Sequence, residues 1–91
     1  MLTNYMEMCI FCYKPKQDVH HLVFGRGKRN LADADELIVP VCRECHELLH
    51  KNDKVSKIMG QLAYERDRCA DGYSVEAARE SFRIRYGKSY L

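Results

Sequence analysis

Residues 38–50 read IVPVCRECHELLH, and this stretch decides the fold. Its apolar first part predicts a short strand and its second part a helix, because β-branched residues give way to apolar residues at helical spacing. Cys42 and Cys45 lie at the junction, while His46 and His50 are one helical turn apart and project from the same helix face. The stretch therefore predicts two kinds of metal ligand on one strand–helix unit.

A second cysteine pair matches the first. Cys9 and Cys12 have the same C-x2-C spacing as Cys42 and Cys45. Two thiolates on each of two tight turns are the usual way to build a tetrahedral four-cysteine zinc site, so we expect a structural Zn²⁺ that stabilises a small core. Two unconnected C-x2-C pairs or a redox motif stay open as alternatives. Cys69 has no partner in this scheme and is expected to be a free thiol.

The segments around these pairs predict the rest of the core. Residues 19–24 (VHHLVF) are rich in β-branched and aromatic residues and predict a strand, and the two glycines in residues 25–30 (GRGKRN) predict a loop. Residues 37–41 predict a second strand, and the helix should begin near residues 43–45 and reach Lys51. The expected order is a C-x2-C turn (a knuckle), a strand, a loop, a second strand, a second knuckle and a helix.

Helical periodicity dominates the remainder of the chain. Asp53 is a candidate N-cap and Gly72 would end the first of two helices, while Ser74 could cap the second and Gly87 would follow its end. The expected inner faces are Val55, Ile58, Met59, Leu62 and Ala63 in the first helix, and Val75, Ala78, Phe82 and Tyr86 in the second. We interpret both stripes as core and not as a cofactor site.

Length and composition indicate one small domain. The chain has 91 residues, 46% hydrophobic and 31% charged, which predicts a single globular domain over residues 1–91. The order of its predicted strands and helices makes this domain α+β, with a core at about 9–51 and a helical extension at about 53–87. No apolar run approaches the roughly 18 residues of a membrane span, and residues 1–7 lack the features of a signal peptide. We therefore expect an intracellular, cytoplasmic protein with no membrane partner.

The four histidines fall into two groups that complement each other. His20 and His21 are adjacent on a predicted strand, so they should point to opposite faces and have different roles. One of them can join His46 and His50 at a metal, and the other can stay a free base near its ordinary pKa of about 6.5. Three imidazoles leave coordination positions open, as in catalytic sites, and suit Zn²⁺, Ni²⁺, Co²⁺ or Mn²⁺ better than Mg²⁺.

These residues resemble a known family. The run DVHH (residues 18–21), the loop that reaches Asn30, and residues 38–50, preceded by Cys9-x2-Cys12, are similar to the HNH endonuclease superfamily over about residues 9–51. The resemblance implies a ββα-metal, treble-clef-like core with zinc knuckles. It also implies a hydrolase that cuts DNA phosphodiester bonds with one divalent ion (Mg²⁺, Mn²⁺, Zn²⁺, Ni²⁺ or Co²⁺). Small nucleases of this type are commonly encoded by phages and prophages.

The resemblance also implies residue roles. His21 would be the general base, and the ligands of the catalytic metal would be His20, His46 and His50. Many family members carry an asparagine about six residues before the third cysteine, where it orients the base, and Glu36 stands at that position here. We rank Asn30 first as the catalytic residue in this role; the alternatives are Glu36 and another residue that holds the loop.

The net charge does not indicate a DNA partner, but one local cluster of basic residues does. The net charge is +2, yet Arg26, Lys28 and Arg29 cluster beside the expected base and could hold flanking phosphates without reading sequence. Solubility alone is the alternative reason for these charges. Because the net charge is small, we expect that holding duplex DNA could require a homodimer or a larger phage or recombination complex.

Two other functional classes remain open. One is a noncatalytic zinc-stabilised DNA-binding module, in which the basic residues bind and the histidines are vestigial. The other is an adaptor whose C-terminal helices dock onto a larger complex, as their amphipathic stripes would allow. Cleavage assays separate the nuclease from both, and salt-dependent DNA affinity separates the adaptor from the others.

Overall fold

Two antiparallel strands and four helices make up the α+β fold of residues 6–91, the part of the chain that the computed structural model describes. In chain order the elements are β1 (Asp18–His21), α1 (Lys28–Ala34), β2 (Ile38–Val41), α2 (Arg43–Lys51), α3 (Asp53–Ala70) and α4 (Val75–Tyr86). Within residues 6–91, no helix has both the length and the hydropathy of a membrane span. The predicted α+β class is confirmed.

The sheet holds the histidine strand beside the segment that leads into α2. Its register pairs are Asp18–Val41, Val19–Pro40, His20–Val39 and His21–Ile38. One further bond, from the Leu22 amide to the Leu37 carbonyl (2.9 Å), extends the pairing before the chain turns away. β1 is shorter than the predicted strand of residues 19–24, because Leu22 and Val23 leave the sheet and lie buried against α3.

Helix α1 occupies part of a segment that the sequence assigns to a loop. Residues 25–27 do form a turn, and Gly27 has a left-handed φ of 75°. Residues 28–30 then form the first turn of α1, so the loop prediction was wrong for them. The two glycines favour a loop in any prediction from local sequence. A helix this short instead depends on tertiary contacts, here through the fully buried Ala32.

Helices α2 and α3 begin and end close to their predicted positions. α2 ends at Lys51, as predicted. α3 begins at Asp53, with Asn52 as its N-cap, one residue earlier than the predicted cap. Gly72 follows the end of α3 with a left-handed φ of 99°, which is the role that the sequence indicates for it.

The buried face of α3 is rotated from the predicted apolar stripe. Val55 and Leu62 were predicted to be inside but are 52% and 51% exposed, so the prediction was wrong for these two. The buried residues of α3 are Ser56, Gly60, Gln61, Ala63, Tyr64 and Glu65. A Cβ at Gly60 would lie 2.6 Å from Val23 Cγ2, so the helix passes too close to the chain after β1 to carry a side chain there. Small and hydrogen-bonding residues therefore occupy most of this face.

Helix α4 matches its prediction at both ends. The Ala77 amide donates to Ser74 Oγ (3.1 Å), and Gly87 follows the helix with a left-handed φ of 89°. Of the predicted inner face, Ala78, Phe82 and Tyr86 are buried, whereas Val75 is exposed and was wrongly placed inside. Phe82 meets Tyr64 of α3 edge-on, with ring centroids 5.4 Å apart, and this contact holds α4 on α3.

We expect Gly60→Ala to lower the free energy of unfolding by about 1–3 kcal/mol, because the added methyl group overpacks the contact with Val23. At an exposed helix position the same change would gain up to about 1 kcal/mol. Equilibrium unfolding in urea measures the effect. In a Val23→Ala background the loss should shrink by at least about 0.5 kcal/mol. Stabilisation by Gly60→Ala alone would contradict the close approach.

Candidate metal and catalytic site

Two tight turns present the four clustered cysteines. In the first turn, the chain reverses between Cys9 and Lys14, whose backbone groups are hydrogen-bonded (2.7 Å); Cys12 lies within this reversal, and Tyr13 after it adopts a left-handed φ of 61°. In the second, Cys42 is the N-cap of α2 and Cys45 lies in the first turn of that helix. Each C-x2-C pair is thus held by local backbone geometry, as the sequence predicts.

The four thiols form a set that could bind a metal ion such as zinc. Their Sγ atoms all lie within 4.8 Å of one another, and the Sγ atoms of Cys12 and Cys42 are 3.5 Å apart. A tetrahedral site with Zn–S bonds of about 2.3 Å places its sulfur atoms about 3.8 Å apart. The donor set therefore fits the predicted structural zinc. Cys69 lies on α3 and does not belong to this set.

The pKa values of the thiols reflect their crowding. Burial opposes ionisation of Cys9, but hydrogen bonds from the backbone N–H groups of Cys42, Cys12 and Phe11 outweigh it and lower its pKa to about 6. The hydrogen bond with the Cys42 side chain, together with burial, raises the pKa of Cys45 to about 12. One thiolate forms readily, and a cation would have to compensate the charge before all four could ionise.

Three histidines converge in a cleft between β1 and α2. His20 is buried on β1, His46 and His50 lie one turn apart on α2, and one ligand nitrogen from each falls within 4.8 Å of the others. The Nε2 atoms of His46 and His50 are 3.1 Å apart. Zn–N bonds of about 2.05 Å give a spacing of about 3.3 Å in a tetrahedral site. The cleft has a volume of about 190 Å³, and its other lining residues are Val19, His21, Phe24 and Arg29.

Hydrogen bonds define which nitrogen of His20 carries a lone pair. Ser56 Oγ donates its single proton to the Leu22 carbonyl (2.8 Å), so it accepts from His20 Nε2, which is also 2.8 Å away. The lone pair of His20 is therefore on Nδ1. Burial, and then the neighbouring His46 and His50, lower the pKa of His20 to about 4, so its imidazole is neutral at pH 7, the form that binds metal.

Asp18 has a comparable effect on His46. Its Oδ2 lies 3.2 Å from His46 Nδ1 and, as a carboxylate, can only accept, so the ring proton is on Nδ1 and the lone pair on Nε2. A carboxylate that holds the second nitrogen of a ligand histidine is a regular feature of metal sites. The run DVHH thus contributes Asp18 as well as its histidines to this cleft.

His21 has a separate partner on α1. Its Nε2 lies 2.7 Å from Asp33 Oδ1, and both side chains reach solvent. The carboxylate accepts the Nε2 proton and leaves Nδ1 as the basic nitrogen. His20 and His21 thus contact different helices, α3 and α1, as expected of neighbours on a strand, although both line one cleft.

Asp33 is a partner of His21 that the sequence motifs do not indicate. Asn30, and then Glu36, are the residues predicted to orient His21, and these two roles stay predictions. Asn30 lies one turn before Asp33 on α1, and Glu36 follows the helix with a left-handed φ of 58°. Positions 30 and 33 share a helix face, so Asp33 could have been predicted only if residues 28–34 had been recognised as a helix. The two glycines just before them favour a loop prediction instead.

A family model with the description "Protein of unknown function (DUF968)" matches residues 4–64, which are 61 of the 91 residues. The chain belongs to the DUF968 family. The DUF968 segment contains the cysteine set, the histidine cleft, Ser56 and Asp33, and it ends within α3. The comparisons with curated proteins and with solved structures give no match.

The basic residues predicted to bind DNA have different surroundings in this DUF968 segment. Arg29 lines the cleft, and Arg26 is exposed in the turn before α1. Lys28 instead contacts the C-terminal segment, where its Nζ donates to the Tyr90 hydroxyl (3.1 Å). Arg29 is therefore the member of this group that the structure places beside the histidines.

Proposed function

We propose that the chain is a divalent-metal-dependent endonuclease of the HNH type that hydrolyses DNA phosphodiester bonds, with His21 as the general base. The observation that carries the proposal is the cleft, where three imidazoles meet beside a histidine–carboxylate pair. A set of three imidazoles leaves coordination positions for water and phosphate, which distinguishes catalytic from structural metal sites. In this proposal β1, β2 and α2 are the ββα-metal core.

The proposed ligands of the catalytic ion are His20, His46 and His50. Ser56 and Asp18 hold the ring protons of His20 and His46 on Nε2 and Nδ1, which leaves the other nitrogen of each ring free to bind an ion. A divalent ion bound there supplies Lewis-acid stabilisation of the charge that develops on the phosphate and the leaving oxygen. The four cysteines would hold a separate Zn²⁺ with a structural role.

His21 would take a proton from the attacking water through Nδ1. Asp33 holds the opposite nitrogen, so it orients the ring and stabilises the imidazolium that forms. Because both side chains reach solvent, the proton can then leave to bulk water. The products of this reaction carry 5′-phosphate and 3′-hydroxyl ends.

The shape of the cleft favours a phosphodiester backbone over an enclosed small molecule. Its volume of about 190 Å³ is below the roughly 300–1,000 Å³ of pockets that enclose drug-sized ligands. Arg29 lines the cleft, and its guanidinium group can donate to phosphate oxygens. A DNA strand that crosses the opening would present one phosphate at a time to these groups.

A plasmid-nicking assay tests the proposal. We expect the protein to convert supercoiled plasmid to relaxed and linear forms with added Mn²⁺, Mg²⁺, Zn²⁺, Ni²⁺ or Co²⁺, and EDTA to stop the reaction. His46→Ala removes a ligand and should slow cleavage by at least about tenfold at limiting metal. Glu47→Ala, the exposed neighbour on α2, should cleave at the wild-type rate. Equal cleavage by wild type and His46→Ala would contradict the metal assignment.

An adaptor function has one observation in its favour. Val55 and Leu62 are half exposed on α3, and Val55 lines an apolar groove of about 300 Å³ together with Phe11 and Leu48. Exposed apolar surface of this kind can mark a contact with another protein. An adaptor would show neither cleavage nor salt-dependent DNA affinity, whereas a noncatalytic DNA-binding module would show affinity without cleavage.

A further inference from the structure

Three lysines surround one tyrosine ring near the histidine cleft. The Nζ atoms of Lys28, Lys57 and Lys88 lie 5.8, 5.7 and 5.4 Å from the centroid of the Tyr90 ring. Lys28 also donates to the hydroxyl of that ring (3.1 Å). The three cations come from α1, α3 and the segment after α4, so the fold and not local sequence brings them together.

A buried side chain holds Tyr90 in this position. Gln61 of α3 is fully buried, and its Oε1 accepts from the Tyr90 amide (2.7 Å). Its Nε2 donates to Ser89 Oγ (2.9 Å) and to Glu65 Oε2 (2.8 Å). Because a fully buried amide that loses its hydrogen-bond partners is costly, the two bonds from Gln61 to residues 89 and 90 fix the segment that carries Lys88 and Tyr90 on α3.

The lysine cluster has little compensating negative charge. Among residues 6–91, the ion pair that reaches it joins Lys57 Nζ to Asp53 Oδ2 at 3.9 Å, and Asp53 is exposed. The face of an aromatic ring attracts cations, which offsets part of the repulsion between the ammonium groups. A ligand with several negative charges would relieve the remainder.

Phe24 connects the cluster to the cleft. Lys57 Nζ lies 4.9 Å from the centroid of the Phe24 ring, and that ring lies 5.1 Å from the His50 ring and lines the cleft. Lys57 Nζ is therefore at most 10 Å from the centre of the His50 ring. One strand of B-DNA carries a negative charge about every 3.4 Å along the helix axis. A strand whose phosphate occupies the cleft would thus bring its next few phosphates within reach of the lysines.

We propose that Lys28, Lys57 and Lys88, arranged around Tyr90, form a backbone-binding surface that holds the DNA strand next to the phosphate in the cleft. The identity of the polyanion as DNA rests on the proposed function. Lysines make point-charge contacts to phosphate, so this surface positions the strand and does not read its sequence.

DNA affinity measured against salt concentration tests this surface. The experiment uses fluorescence anisotropy with a labelled duplex and the full chain carrying His21→Ala, so that cleavage is too slow to interfere. The plot of log K against log salt has a negative slope. Adding Lys57→Ala and Lys88→Ala should make this slope shallower by about two, because two phosphate contacts are lost. The matched control carries Lys14→Ala and Lys16→Ala, which remove the same charge from two exposed positions in the segment after Cys12. Its slope should stay close to that of the parent protein.

Two outcomes would overturn the surface: no salt-dependent DNA binding by the parent protein, or equal slopes in the two double variants. Lys88→Ala alone changes one exposed residue and should make the slope shallower by about one. This single variant controls for misfolding of the double variant. Plasmid cleavage by the wild type is scored separately. Cleavage with equal slopes in the two variants would remove the surface and leave the nuclease, whereas a selective loss of slope without cleavage would keep the surface and remove the nuclease.

Discussion

We expect His21→Ala to lower the rate of plasmid cleavage by about 10²- to 10⁴-fold, the usual contribution of a general base. In the proposed mechanism, the substitution removes the nitrogen that would take the proton from water, and it leaves His20, His46 and His50 in place. The affinity of the cleft for Mn²⁺ or Zn²⁺, measured by titration calorimetry, should therefore stay close to that of the wild type. A loss of rate without a loss of metal distinguishes a base from a ligand.

Two substitutions on α1 test which residue orients His21. Asp33→Asn keeps the shape of the side chain but removes its charge, so it should slow cleavage, by less than His21→Ala does, because the imidazolium of His21 loses its partner. Asn30→Ala, one turn earlier on α1, should change the rate little if Asp33 alone orients the base. If Asn30→Ala has the larger effect, Asn30 is the residue that orients the base, as its position in the HNH-like motif predicts. Wild-type cleavage by His21→Ala would remove the general-base assignment.

We expect Cys45→Ala to abolish the folded state at room temperature. Structural zinc contributes an apparent binding free energy of about 10–16 kcal/mol to small zinc domains, while the net stability of a folded domain is only about 5–15 kcal/mol. Loss of one of four thiolates should therefore cost more than the fold can supply. The measurements are zinc content by elemental analysis, expected to fall by one equivalent, and the loss of helical circular dichroism.

Cys69→Ala is the matched control for this experiment. It removes a thiol from α3 that does not belong to the cysteine set, so zinc content and helical signal should match those of the wild type. A Cys45→Ala protein that retains both its zinc and its helices would contradict a structural role for the four-cysteine set.

Most of the candidate metal ligands could be predicted from the sequence because their spacing is local. Cys42 and Cys45 flank the start of one helix, and His46 and His50 lie one turn apart on it, so backbone geometry alone relates them. The capping residue Ser74 likewise acts within a few residues of its partner. Two meetings require the fold: that of the N-terminal Cys9–Cys12 turn with α2, which its matched spacing indicates, and that of His20 on β1 with the two histidines of α2.

Contacts made across the fold were not predictable in this way. Asp33 contacts His21 from α1, a helix that the preceding glycines make look like a loop in the sequence. Ser56 contacts His20, which lies 36 positions earlier in the chain. The inner face of α3 carries polar residues because it supports both the histidine cleft and the C-terminal segment. Periodicity assigns the inside of a helix by hydrophobicity, so it placed Val55 inside and overlooked Ser56.

Helix α2 carries ligands of both clusters within its nine residues. Cys45 and His46 are consecutive, but successive helix positions differ in direction by about 100°, so the two side chains serve different clusters. Thiolates are softer donors than imidazoles, and four of them would surround an ion completely, so a limited supply of Zn²⁺ would load the cysteine set first. If the proposed function holds, maturation would then have two stages, and a protein with one ion would be folded but inactive until the second ion binds.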